Sequence, residues 1–429
     1  MTAILWYNSI IAVILFIILL NFIKNLSEFR LLSSYKLTPN SEKPFGSILV
    51  PARNEERNIA RCINSLIVQD YENFEIIVLN DNSTDRTEEI LDELARTDSR
   101  IKVIKGRPLP HGWVGKNFAC HQLSKAAKGE YLFYTDADTW HHKSSLSSGM
   151  AAMQEMGADL LTLTPSEKVE TLSERMIVPF MHFALMSFLP IKRIYRSRNP
   201  LLTFSVGQYM LFRRKAYDAI GGHASIPSEI VEDMELGKRI KKFGFKQLVL
   251  DGNRMVYCRM YHSIKEVWQG FSKFLFAVFK FRLFALLPVI FIMDSLFLMP
   301  FIFLMYMILT GNKSNPNFFL VATQIILILA NKTLLSHRFE YSYIDVPLHP
   351  ISLMHINMIA FYSIFLHVKG IGVIWKGRRY QTDKSAELIT EDLIGNDLIE
   401  DEQLVESDGD AFDTEEVIYF PAEQVNKGF

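Results

Sequence analysis

Three short apolar runs in the first third of the chain end the same way, and this repetition narrows the folds open to it. Residues 47–50 run into Pro-Ala-Arg-Asn-Glu-Glu, residues 75–79 into Asn-Asp-Asn-Ser-Thr-Asp, and residues 131–134 into Thr-Asp-Ala-Asp. Each run has the length and apolar content of a strand buried on both faces. Between them lie stretches with helical spacing, at residues 57–69, 87–94 and 115–127, and one more short strand, Ile-Lys-Val-Ile-Lys-Gly. Strands alternating with helices predict right-handed βαβ units and a mostly parallel sheet. Such sheets bind ligands at the carboxyl ends of their strands. The polar turns Arg53-Asn54-Glu55, Asp81-Asn82-Ser83 and Asp136-Ala137-Asp138 all fall there.

The two ends of the chain have another character. Of 429 residues 49% are hydrophobic, 32 are Phe, and the formal net charge is -1, which gives no reason to expect nucleic acid as a partner. Residues 4–23 form an apolar run close to the ~20 residues that cross a bilayer. The run lacks the basic start and small-residue cleavage site of a signal peptide, so residues 1–24 read as a retained anchor. Lys24, Arg30 and Lys36 follow it and favour the cytoplasmic side for what comes next, a soluble α/β domain over residues 43–262. The reading is therefore a multi-pass protein of the cell membrane with its catalytic domain in the cytoplasm. Residues 264–282, rich in Phe and Trp with scattered Lys, read as an interfacial amphipathic helix. Residues 283–375 read as a membrane region with spans at 283–309, 318–335 and 353–368. Three spans would leave the far end outside, yet Lys369, Lys376, Arg378 and Arg379 favour the cytoplasm. One of the three is then re-entrant or interfacial, or the count is off. Residues 385–429 are acidic and polar and read as a flexible tail. Cys62, Cys120 and Cys258 have neither zinc nor disulfide spacing and read as buried small hydrophobes.

In a strand, residues i and i+2 share a face, so Asp136 and Asp138 project together if the strand persists to its end. Mg²⁺ or Mn²⁺ prefers such oxygen ligands and keeps positions open for substrate phosphates. The same spacing also occurs in ordinary turns of solvated acids. Asp81 sits at a strand end, placed to accept hydrogen bonds from a base or a ribose hydroxyl. Ser83 and Asp85 suit the cap of the helix that follows. Asn54 and Glu55 suit a helix start as well as a site. Lys116 opens a helix after a Gly-containing turn, where phosphate or plain solvent are equal alternatives. Glu232 and Asp233 begin a helix with a basic face. A general base would have to come from such a carboxylate. His121, His141 and His142 are assigned to nothing.

Taken in order, VPARNEE, LNDNSTDRT, YTDAD and VEDMELGKRI resemble the glycosyltransferases of family 2, which have the GT-A fold. The resemblance implies an α/β, Rossmann-like nucleotide-sugar domain flanked by N-terminal and C-terminal transmembrane helices. It implies transfer of a sugar, usually with inversion, from a UDP- or GDP-sugar to an acceptor oxygen, with Mg²⁺ or Mn²⁺. Carried over, Asp81 and Glu55 contact the nucleotide; Lys116, from its place at a helix start, is a further candidate for donor binding. Asp136 and Asp138 hold metal and diphosphate, and Asp233 is the base. Processive members carry Gln-x-x-Arg-Trp on the interfacial helix, whereas this chain has Val-Trp-Gln-Gly-Phe-Ser-Lys and no Arg-Trp. The layout is similar to the membrane-anchored branch that includes carotenoid- and hopanoid-associated enzymes, with a closing Trp375-Lys376-Gly377-Arg378-Arg379-Tyr380. That implies a lipid-like acceptor at the membrane. A processive synthase and a catalytically silent scaffold are the alternatives. The sequence names neither the sugar nor the oligomeric state.

Overall fold

A computed structural model describes residues 2–311, 316–371, 373–376, 378–380 and 416–418. Most of the acidic tail expected at 385–429 lies outside the described residues. The chain opens with helix α1 (Thr2–Glu28) and enters an α/β domain: β1 (Gly46–Ala52), α2 (Ile59–Ile67), β2 (Phe74–Asn80), α3 (Thr87–Thr97), β3 (Ile101–Lys105), α4 (Gly115–Ala126) and β4 (Tyr131–Tyr134). Then come β5 (Thr139–His141), α5 (Ser145–Met156), β6 (Leu160–Thr164), β7 (Ser166–Glu167), α6 (Leu172–Ile177), α7 (Phe180–Phe188) and α8 (Ile191–Arg196). The domain closes with β8 (Met210–Arg213), α9 (Arg214–Ala219), α10 (Glu232–Lys242), β9 (Gln247–Asp251) and β10 (Val256–Cys258). Apolar helices follow: α11 (Ile264–Leu275), α12 (Leu283–Phe297), α13 (Met299–Leu309), α14 (Pro316–Phe339) and α15 (His349–Val368).

Seven strands form the main sheet in the order β3-β2-β1-β4-β8-β6-β9. Only β8 runs against its neighbours, so the expected mostly parallel sheet is what forms. The apolar runs are continuous because both faces are covered. Ile48 and Val50 pack with Ile76, Val78 and Phe133 on one side, and Leu49 packs with Ile77, Leu132 and Leu123 of α4 on the other. The chain leaves β1 toward β2 and β3, then crosses back to lay β4 on the opposite edge of β1. That reversal opens a crevice at the carboxyl ends of β1 and β4. A second sheet, β5-β10-β7, stands beside it.

Among the described residues three helical stretches are long and apolar enough to cross a membrane: Ala3–Glu28, Pro316–Phe339 and Tyr343–Val368. The continuous span expected over residues 283–309 is instead two shorter helices, α12 and α13, which meet at Leu298. Pro300 in the first turn of α13 has no N–H to give the preceding turn, and its ring clashes with the carbonyl four residues back. A helix therefore has to restart there. Helices α11 and α12 are bent 112° from each other. The first, with Ser263 capping its Glu266 N–H, lies against α15 and α6 through Val267, Phe271 and Ile356.

Candidate active site

The turns after β1 and β2 are laced together. Asn54 and Asn82 both take positive φ of 51°, a backbone region that Asn tolerates better than most residues. The Asn54 side chain accepts from the Thr84 N–H at 2.8 Å. Asp85 accepts from the Thr87 hydroxyl at 2.6 Å and from the Glu56 N–H at 3.1 Å. Ser83 accepts from the Asn54 N–H. Ser83 thus ties the two turns together and does not cap α3, whose N-cap is Arg86 with no side-chain cap bond, while Asp85 bonds the Thr87 N–H in the first turn of that helix. The Arg53 guanidinium donates to the Asp81 and Asn82 carbonyls at 2.8 and 3.1 Å, holding both turns against each other. Asp81 is buried at the end of β2.

Asp136 and Asp138 follow β4 in the crevice. They differ in surroundings. Asp136 is ion-paired with Lys116 at 2.7 Å. Asp138 accepts from the Cys258 thiol at 3.6 Å and from the Thr139 hydroxyl at 3.4 Å. Burial, then the negative charges of Asp136 and Glu55, push its carboxyl up to about 7, against the pull of Lys376 and Lys116. A carboxylate that resists ionisation for want of positive charge is suited to a cation.

Lys116 joins two parts of the chain that are far apart in sequence. Its ammonium lies 2.7 Å from Asp136 and 2.8 Å from Glu232, at the first turn of α10. Burial works against the ammonium, but these two carboxylates outweigh it and hold it protonated. Burial likewise works against the Glu232 carboxylate, and Lys116 and Lys273 of α11 keep it ionised. Next in the chain is Asp233, which accepts from the Met234 N–H at 2.7 Å. Burial and then the charge of Glu232 push its carboxyl up to about 7, the range in which a general base works at neutral pH. The α10 helix start is therefore part of the site and not only a dipole match.

Glu55 lies 3.1 Å from Lys376, which arrives from beyond α15. The Lys376 ammonium also donates to the Asn54 carbonyl at 3.2 Å, and its own carbonyl accepts from Arg53 at 3.0 Å. Gly207 lies against the Lys116–Asp136 pair: a Cβ there would stand 2.7 Å from the ammonium and 2.8 Å from the carboxylate. The structure so gathers Glu55, Asp81, Lys116, Asp136, Asp138 and Asp233 around one crevice and adds Glu232, Lys273, Lys376 and Gly207. Of these additions Glu232, the Gly-x-x-Lys of α11 and Lys376 in the closing stretch of residues 375–380 had a signal in the sequence, and Gly207 had none.

Among the described residues no group of three His, Cys, Asp or Glu side chains is arranged to hold a metal ion. The donor chemistry nevertheless fits a hard divalent cation. Two carboxylates on one turn suffice for Mg²⁺ or Mn²⁺, which take their remaining ligands from water and phosphate, and Asp138 has no ammonium within ion-pair distance among the described residues.

Residues 47–221 match the family model described as Glycosyl transferase family 2. This segment is a family 2 glycosyltransferase domain. Its seven-stranded sheet with one reversed strand is the GT-A arrangement. Curated relatives include the protein of Staphylococcus haemolyticus named 4,4'-diaponeurosporenoate glycosyltransferase, 26% identical over 53% of this chain and 60% of its own length. Its namesake in Staphylococcus aureus is 28% identical over 52% of this chain and 59% of its own length. The chain thus spans about three-fifths of these relatives. Among solved structures, a mannosyltransferase from Pyrobaculum calidifontis in complex with GDP-Man and Mn²⁺ is 14% identical, covering 83% of this chain and 99% of its own, at a TM-score of 0.49.

Proposed function

We propose that this protein is a membrane-bound inverting glycosyltransferase that moves a sugar from a nucleotide sugar to a carotenoid-type, lipid-like acceptor. The observation that carries this reading is the Lys116 bridge. It brings the acidic pair after β4 and the Glu232-Asp233 helix start, almost a hundred residues apart, to within one ammonium of each other. Diphosphate recognition and proton abstraction have to meet at one sugar carbon, and this contact supplies that meeting.

Asp81 takes the base or ribose, and the crevice beside Glu55 takes the nucleotide. Asp136 and Asp138 would hold Mg²⁺ or Mn²⁺, which when bound offsets the charge on the leaving diphosphate. Lys116 adds a fixed positive charge at the same place, and Lys376 adds a second from the far end of the chain. Asp233 takes the proton of the acceptor oxygen as that oxygen forms its bond to the anomeric carbon. The bond from that carbon to the diphosphate oxygen breaks, and its electron pair leaves with the nucleoside diphosphate. One displacement on the face opposite the leaving group inverts the centre. The acceptor class follows the names of the staphylococcal relatives and the apolar helices at both ends. The catalytic side of the membrane is taken as cytoplasmic from the basic residues after α1.

Release of nucleoside diphosphate from UDP- and GDP-sugars by the purified full chain, with Mn²⁺, Mg²⁺ or EDTA, tests this. Metal-dependent release that Asp138→Ala removes is the expected result. No release from any donor, with and without membrane lipid extract, overturns it in favour of a silent scaffold.

A further inference from the structure

The small sheet β5-β10-β7 has two faces. Thr139, Cys258 and Glu167 are in register and share the face turned to Asp138. Trp140, Tyr257 and Ser166 share the other, which borders a groove of about 320 Å³. The groove adjoins the donor crevice, since its lining residue Asn58 donates to the Glu55 carboxylate at 3.1 Å, but the reaction proposed above makes no use of it.

Its lining carries four cations, Arg57, Arg61, Lys168 and Arg259, against one carboxylate, Glu170, with the ring of Trp140 beside them. Trp140 and Tyr257 are stacked, with ring centroids 5.7 Å apart and planes 9° from parallel. The Arg61 guanidinium lies 3.2 Å from the Trp140 centroid, and the Lys168 ammonium 5.2 Å from that of Tyr257. Two more cations line the groove, and each has a carboxylate: Arg57 has Glu266 at 3.7 Å, and Arg259 has Glu170 at 2.6 Å. Arg61 and Lys168 have none within ion-pair distance among the described residues. Ring faces orient a cation but leave its charge uncompensated toward the cavity. The His262 Nε2 also faces a buried setting without a hydrogen-bond partner. Two unneutralised cations and one unsatisfied ring nitrogen around a cavity of this size suit a compact polyoxygen anion.

The surroundings say what carries that anion. The groove ends at His262, immediately before the amphipathic helix α11, and Arg57 reaches across to that helix through Glu266. Leu172 and Ile264, each two residues along the chain from a lining residue, are more than half exposed. A polar pocket for an anion with bare apolar side chains close along the chain matches an amphiphile, head in and chains out. We propose that this groove binds the phosphate headgroup of an anionic membrane lipid, and so sets the catalytic domain against the bilayer beside α11.

The test is lipid retention by the full chain in nanodiscs of phosphatidylcholine containing phosphatidylglycerol, read by native mass spectrometry after extraction. Wild type retains phosphatidylglycerol in preference. Arg61→Gln/Lys168→Gln lowers that preference roughly ten- to thirty-fold, and Lys168→Glu alone lowers it in a variant that keeps the Arg61 stack. Lys102→Gln/Lys105→Gln, exposed on the far edge strand β3, keeps it. An unchanged preference in both groove variants overturns the proposal. So does an equal loss in the β3 variant, which would mean bulk charge. Complete displacement of the retained lipid by inorganic phosphate also overturns it, in favour of a site for free phosphate. No sugar donor enters the measurement, so its outcome is independent of the transferase reading.

Discussion

Lys376 and Glu55 form an ion pair 3.1 Å long between the turn that closes β1 and the segment that follows the last apolar helix. The first is reached only after α11 to α15, and the second lies at the start of the family 2 domain. Their contact puts both on one side of any membrane that the intervening helices cross. Whatever crosses between the domain and Lys376 must cross an even number of times. Among the described residues two long apolar stretches lie in that interval, Pro316–Phe339 and Tyr343–Val368, together with the bent pair α11 and α12 and the shorter α13.

Lys376 also completes the cationic side of the crevice. Replacing it with Gln removes the charge that the proposed reaction sets beside the diphosphate, and a charge-assisted hydrogen bond of that kind contributes about 1.5–3 kcal/mol. Affinity for the nucleoside diphosphate should fall about ten-fold or more, with the melting temperature nearly unchanged because the side chain is partly exposed. Lys376→Arg should restore part of the affinity. Titration of the nucleoside diphosphate into the full chain in detergent checks this. Equal affinity in Lys376→Gln would leave the ion pair a purely structural link.

Asp233→Asn should abolish turnover by at least a hundred-fold, within the usual contribution of a general base, while nucleotide binding survives. With its carboxyl pushed up to about 7, Asp233 is an acid below that pH and a base above it. The wild-type kcat/KM should therefore rise with pH through about 7. Residual activity in Asp233→Asn should lack that rise. Loss of nucleotide binding in this variant would assign Asp233 to structure instead.

Lys116 and Asp233 were read from helix starts, and the other site residues from one marker, a place just after an apolar strand. Asp81, Asp136 and Glu55 had that marker, and the sheet was legible from the same runs. Glu232 did not, because an acid at a helix start has an ordinary explanation in the helix dipole. Cys258 and Glu167 lie on strands of three and two residues, too short to show a period of two. Lys376 was marked by the closing stretch of residues 375–380, but only the folded path of α11 to α15 carries it back to β1. The break at Leu298 did have one, Pro300, but hydropathy summed over residues 283–309 is blind to a missing N–H.

Asp138 makes a prediction about metal and pH together. A carboxyl raised from 3.8 to about 7 in the folded chain favours the fold below pH 4, and this contribution is lost as pH rises through about 7. A divalent cation needs the ionised form and competes with that proton. The rise in melting temperature caused by Mn²⁺ should accordingly be larger at pH 8 than at pH 6. Asp138→Asn should remove both the Mn²⁺ effect and its pH dependence. Thermal melts of the full chain at the two pH values, with Mn²⁺ or EDTA, measure it. An Mn²⁺ shift that Asp138→Asn leaves intact would place the metal on other residues.

Gly207 separates the needs of the fold from those of the site. A Cβ at this position would meet the Lys116 ammonium at 2.7 Å and the two Asp136 oxygens at 2.8 and 3.3 Å, with no backbone atom among its nearest neighbours. These are the ends of side chains, so Gly207→Ala is accommodated by moving the ion pair and not by opening the sheet. The cost to folding stays small, within about 1 kcal/mol. The cost to catalysis does not, because the Lys116 bridge sets the distance between Asp136 and the Glu232-Asp233 turn, and misplacement by about 1 Å can lower a rate about a hundred-fold. Gly207→Ala should therefore melt within a few degrees of wild type and lose at least ten-fold in kcat/KM. A fully active Gly207→Ala would show that the separation of the acidic pair from Asp233 is not held by Lys116, and the catalytic reading of the bridge would have to be given up.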